Sequence, residues 1–229
     1  MTKAPRPQSA SMPTITAVPE HKPLLRGWIH AVMAPIALAA GAMLVMLAPP
    51  GGAKTTSAIY AFTGVLMFTI SAIYHLGNWS PMVKRVLKRL DHTNIMLLIA
   101  GSYTPLAWAL LPPHKATILL LAIWIGALAG VGFRIFYTDA PRWLYTPVYV
   151  LLGLGALLFI GDFYAANPAA AILICAGGAF YIAGAVFYAM KRPNLSERWF
   201  GFHELFHAFT VAGFTCHFIA IIMAVLGTA

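Results

Sequence analysis

Long apolar stretches alternate with short polar connections along this chain, and that alternation predicts its elements. Seven uncharged stretches are each long enough for the roughly 20 residues that a membrane-crossing helix needs. They lie near residues 28–48, 57–76, 92–111, 116–133, 143–161, 168–190 and 205–226. The predicted fold class is all-α, a seven-transmembrane helix bundle over residues 28–229. Residues 1–27, with five prolines by position 23, are expected to form a flexible polar tail. Pro35, Pro105 and Pro147 fall inside spans, where neighbouring helices satisfy the freed backbone groups. Gly126 and Gly130 make a G-x-x-x-G on the fourth span, expected to pack closely within the bundle. Trp28, Trp108, Trp143 and Trp199 stand at span ends, as interface anchors do.

Composition agrees with this picture. Of the 229 residues, 60% are hydrophobic and 9% charged, against roughly a quarter charged in soluble domains. The charges are also placed unevenly. Lys3, Arg6, Lys22 and Arg26 precede the first span, and Lys84, Arg85, Lys88 and Arg89 connect the second to the third. Arg134, Arg142, Lys191, Arg192 and Arg198 fall in the later connections on the same side, so thirteen basic residues face two, Lys54 and Lys115. The positive-inside rule then puts the N-terminus in the cytoplasm and the C-terminus outside, in a multi-pass protein of the cell's inner membrane. The net charge of +9 marks topology and contact with anionic lipid, and excludes nucleic acid as the partner. Cys175 and Cys216 lie within spans, too far from the histidines at the start of the last span to join them, and imply no disulfide framework. No cleavable signal peptide is visible, and the first span is expected to serve as the insertion signal.

Ionisable residues inside spans are costly and are candidates for function. The last span opens with WFGFHELFHAFTVAGF, in which His203 to His207 match the H-E-x-x-H of zinc proteases. Four residues apart, the two rings are about 40° apart round a helix and converge on one metal. The protease form fails further on: Thr210 and Gly213 stand where the extended motif needs Gly and His, and no Asp or Glu follows Glu204. A third ligand must therefore come from upstream at the same membrane depth. The second span ends there with Ser71 to His75, and the third opens there with Asp91 and His92. His75 is the expected third ligand, giving three neutral histidines with a fourth position open, the catalytic type of zinc site.

Ser71 lies one turn deeper on the His75 face; the alternative is a hydroxyl bonding back to its own helix. Asp91 is a candidate general base or an orienter of a ligand, the alternative being a cap of the third helix or a partner for the basic cluster before it. His92, about 100° round from Asp91, is expected to face a neighbouring helix. His30 reads as an interfacial residue, and His217 as a deeper buried polar contact.

Taken together, Ser71 and His75, Asp91 in R-L-D-H-T-N-I, the run A-G-S-Y-T-P from Ala100 to Pro105, and His203 with His207 resemble the hemolysin III family. That family is the bacterial branch of the progestin and adipoQ receptors, within a wider superfamily of membrane hydrolases that includes alkaline ceramidases. The resemblance covers the chain from about Trp28. It implies Zn2+ held by His75, His203 and His207, with Ser71 and Asp91 completing the site and Glu204 outside the shared set. The expected function is zinc-dependent hydrolysis of lipid amides drawn from the membrane. Alternatives are a receptor-like or membrane-homeostasis protein with structural zinc, a pore-forming haemolysin, and an intramembrane protease.

Overall fold

Each of the seven apolar stretches is helical in the protein's computed structural model, which describes residues 22–137 and 141–227. The helices are α1 (Trp28–Leu47), α2 (Gly52–Leu76), α3 (Pro81–Leu110) and α4 (Pro113–Phe136), followed by an interrupted fifth span, then α7 (Pro168–Met190) and α8 (Phe202–Leu226). The fifth span consists of α5 (Arg142–Gly153), a 3-10 segment (Leu154–Phe159) and α6 (Ile160–Ala166). Among the described residues, seven segments are long and apolar enough to cross a membrane. Residues 1–21 of the expected tail, with Lys3 and Arg6, lie outside the described residues, as do the side chains of Arg142 and Trp143.

Two elements differ from the sequence expectation. The third span was expected to begin at His92, but α3 begins at Pro81, where the missing N–H of proline costs no helical bond. Val83, Val86, Leu87 and Leu90 recur at i, i+3, i+4 and i+7, a helical stripe among the basic residues. At 1.5 Å per residue the extension adds about 16 Å to the helix. Asp91 therefore sits in the helix interior and does not cap it.

The fifth span is broken at mid-depth. Gly153 and Gly155 are poor helix formers, and the Tyr103 hydroxyl of α3 inserts at the break. It donates to Gly153 O at 2.8 Å and accepts from Ala156 N–H at 2.7 Å. Non-helical backbone at membrane depth is tolerated where side chains satisfy it and where it lines a cavity. Both conditions hold, because Gly153, Leu154 and Ala156 line a cavity of about 250 Å3.

Sequence neighbours pack as antiparallel pairs, and α3 is the central, most buried helix. The G-x-x-x-G of α4 faces inward as expected: a methyl at Gly130 would stand 2.2 Å from Met96 Sδ, and one at Gly126 would stand 2.8 Å from Leu152. Leu121, Ile125 and Leu128 on the other side of α4 are exposed, as a lipid-facing surface requires. Trp28, Trp108 and Trp199 are exposed at helix ends. The packing brings the end of α2, the starts of α5 and α8 and the third turn of α3 into one region near the basic connections.

Candidate metal centre

His75 comes from the last turn of α2, and His203 and His207 from the first two turns of α8. One nitrogen from each ring lies within 4.8 Å of the others. The Nε2 atoms of His75 and His203 are 3.2 Å apart, and the ring of His207 lies with its centroid 5.1 Å from that of His75 and 4.7 Å from that of His203. Two imidazoles on one tetrahedral zinc hold their nitrogens about 3.3 Å apart, given Zn–N bonds of about 2.0–2.1 Å. The cluster thus fits a zinc ion in donor type and, for the His75–His203 pair, in spacing.

Asp91 approaches from α3. Its Oδ2 is 4.0 Å from His75 Nε2 and 3.6 Å from His92 Nδ1. The second contact is not a committed hydrogen bond, because His92 Nδ1 is 2.8 Å from Lys88 O, which can only accept. The Nδ1 proton of His92 therefore goes to its own helix. The His92 ring meets Tyr145 of α5 edge-on at 5.8 Å, facing a neighbouring helix as expected. Asp91 keeps its carboxylate directed toward the histidines.

Ser71 is fully buried, and its Oγ interacts with the Asp91 carboxylate without reaching the geometry of a full hydrogen bond. Thr56, Ser102, Thr104 and Thr210 all bond back to the carbonyl four residues earlier, at 2.8–2.9 Å. Ser71 does not, so the expected alternative of a self-satisfied helix hydroxyl is not what the structure places there. Instead Ser71, Asp91, His203 and His207 line a cavity of about 30 Å3. A single water needs roughly 10–15 Å3 of such space. Thr146 of α5, buried and with no hydrogen-bond partner at Oγ1, lines the same cavity.

The small polar cavity adjoins the large apolar one. Met67, Ile95, Tyr149, Ala185 and Phe206 line both. The two cavities are therefore neighbours, one beside the histidines and the other reaching the broken fifth span at mid-depth.

Two sequence readings change here. His30, expected at the interface, is fully buried. Its ring stacks on His207 with centroids 3.8 Å apart and planes 11° apart, and meets Phe68 edge-on at 5.1 Å. A lone histidine near a span end carries no sequence signal of such a contact. Glu204, the residue that made the protease match, is also fully buried but points away from the histidine cluster's centre. Its Oε1 accepts from Arg26, and its Oε2 accepts from Gly201 N–H at 2.8 Å, closing the first turn of α8. His217 behaves as expected, with Nε2 3.2 Å from Ile174 O. Tyr188, which meets His203 at a centroid distance of 5.3 Å, was not singled out by the sequence.

Comparison with known proteins gives the chain's relatives. The family described as "Haemolysin-III related" matches residues 19–218. "Hemolysin-3" of Bacillus cereus is 31% identical over 206 residues, spanning 87% of this chain and 90% of the relative. "Hemolysin-3 homolog" of Bacillus subtilis (strain 168) is 30% identical over 168 residues, spanning 72% of this chain and 74% of the relative. "Monocyte to macrophage differentiation factor" of Homo sapiens is 24% identical over 200 residues, spanning 85% and 80% respectively.

Proposed function

Because the chain belongs to the haemolysin III-related family and gathers three buried or half-buried histidines around one point, we propose that it is a zinc-dependent hydrolase of membrane lipid amides. The observation that carries the reading is a pair of neighbouring cavities: a small pocket lined by Ser71, Asp91, His203 and His207 shares wall residues with an apolar space suited to an acyl chain. The excess of basic residues on the His75 side supports a cytoplasmic N-terminus and a site near the cytoplasmic face of the inner membrane.

His75, His203 and His207 would hold the ion. Zinc supplies Lewis acidity, polarising a carbonyl and acidifying water. The apolar cavity binds the acyl chain and keeps bulk water out, so the amide carbonyl comes to rest beside Asp91 and Ser71. Asp91 takes a proton from the attacking water as its oxygen bonds to the carbonyl carbon. Ser71, which makes no bond back to its own helix, donates to the oxygen that gains charge. As the C–N bond breaks, Asp91 returns the proton to the leaving amine, giving a fatty acid and a free amine.

A second reading is a receptor-like or membrane-homeostasis protein with structural zinc, favoured by the histidines' joining of α2 to α8, two helices that share few direct contacts. Asp91→Ala separates the two. A hydrolase keeps its metal, measured by elemental analysis of pure protein, and loses cleavage of a ceramide-like amide by 100-fold or more, in line with the roughly 10²–10⁴-fold contribution of a general base. Unchanged turnover in that variant would remove Asp91 from the mechanism. Dye release from liposomes by zinc-stripped protein would instead favour pore formation, which the name "Hemolysin-3" of the Bacillus cereus relative suggests.

A further inference from the structure

Residues 22–27 cross the outer edge of the histidine cluster and are tied to both helices that supply it. On the α2 side, Lys22 Nζ donates to His75 O. Gly27 adopts φ +88°, and a methyl there would stand 2.7 Å from His75 Cβ, so the segment rests directly on the ligand's own residue. On the α8 side, Arg26 pairs with the buried Glu204, one residue after His203 and three before His207. Between these points, Leu24 N–H donates to Arg198 O at 2.9 Å and Leu25 N–H to Trp199 O at 3.3 Å. The loop that receives them is itself braced. Ser196 and Phe200 exchange two backbone bonds of 2.9 and 3.0 Å, and Phe202 N–H donates to Asn194 Oδ1 at 3.0 Å.

We propose that this strap, through the Arg26–Glu204 pair, is a positioning device that sets the distance between His75 and the two histidines of α8, and so tunes the affinity of the metal centre. Arg26 and Glu204 are positioning residues, and Glu204 has no proton-transfer role despite its place in H-E-L-F-H. The inference rests on the metal-binding reading above and assigns these residues a task within it. The physical basis is that α2 and α8 meet directly at few points, so the relative placement of their ligands depends on what bridges them. Residues that orient metal ligands from outside typically change affinity by about 10–100-fold when lost.

The sign of the effect separates positioning from simple charge. Arg26→Met removes a cation near the site; by charge alone it would raise affinity for a divalent ion, whereas a lost clamp lowers it. Glu204→Gln lowers affinity on either account. The experiment measures the zinc dissociation constant of full-length protein in detergent micelles, by competition with a chromophoric chelator. Arg26→Met and Glu204→Gln are each expected to weaken zinc binding about tenfold. The double variant is expected to be no weaker than the poorer single one, since both break the same link, and one zinc per chain should still bind at saturation. Should Glu204→Gln fail to fold, Arg26→Met carries the test, because Arg26 is partly exposed, at 18% of its side chain. Arg26→Met that binds zinc as tightly as the unaltered protein, or more tightly, overturns the proposal while leaving the metal site standing. Unaltered protein that binds no zinc overturns both.

Discussion

Ser71 makes no bond back to its own helix, and its hydroxyl stands by the Asp91 carboxylate without a full hydrogen bond. Removing it should therefore cost little stability, unlike Ser102, whose 2.8 Å bond to Leu98 O would be lost. Ser71→Ala is expected to lose less, about 0.5 kcal/mol, because its contact with Asp91 lacks full hydrogen-bond geometry. Ser102→Ala should lose about 1 kcal/mol. Hydrolysis of a lipid amide by Ser71→Ala should fall by at least tenfold, because one lost donor to a developing oxyanion typically costs about 10²–10³-fold. Equal activity in Ser71→Ala would show that the hydroxyl only fills space. At this scale the sequence was informative where residues recur at a spacing. His203 and His207 are one helical turn apart, and span order brings His75 to the same end of the bundle. His30 and Thr146 reach the site from α1 and α5 with no local pattern, so only packing reveals them.

Among the elements, the fifth span departs most from what hydropathy predicts. An unbroken apolar run reads as one helix, and Gly153 and Gly155 alone do not announce a break. The cause lies on another element, since the Tyr103 hydroxyl satisfies one carbonyl and one N–H at the interruption. Tyr103→Phe removes the side-chain partner of both groups and is expected to destabilise the protein by about 1–2 kcal/mol. Tyr149→Phe provides the contrast, because its bond to His92 O is long, at 3.4 Å, and should cost less than 1 kcal/mol. Thermal melting of the two variants in the same detergent checks the order, and a Tyr103→Phe midpoint no lower than that of Tyr149→Phe would mean the break is held by other contacts. The extension of α3 teaches the same lesson from the polar side. Its charges mimic a loop, and the stripe of Val83, Val86, Leu87 and Leu90 is the only local trace of the helix. That extension matters for chemistry, because it removes the capping role from Asp91 and leaves its carboxylate for the pocket.

For the whole molecule, the consequence of the cluster's position is thermodynamic linkage between metal and fold. The three histidines lie far apart along the chain, 128 residues from His75 to His203 and 132 to His207, on helices that meet directly at few points. An ion held by both stabilises only the state in which α2 and α8 are in register. Binding confined to the native state adds about 2.7 kcal/mol at a free zinc concentration 100 times the dissociation constant. Adding zinc to chelator-stripped protein should therefore raise its melting temperature in a concentration-dependent way. His75→Ala, which leaves both remaining ligands on one helix, should lose most of that increment even if some zinc still binds to His203 and His207. A structural role and a hydrolytic role share this expectation and part only at Asp91, whose replacement should leave the zinc-dependent rise in place. A melting temperature that is indifferent to zinc in the unaltered protein would mean that the three histidines meet without a metal, and the hydrolase reading would fall with it.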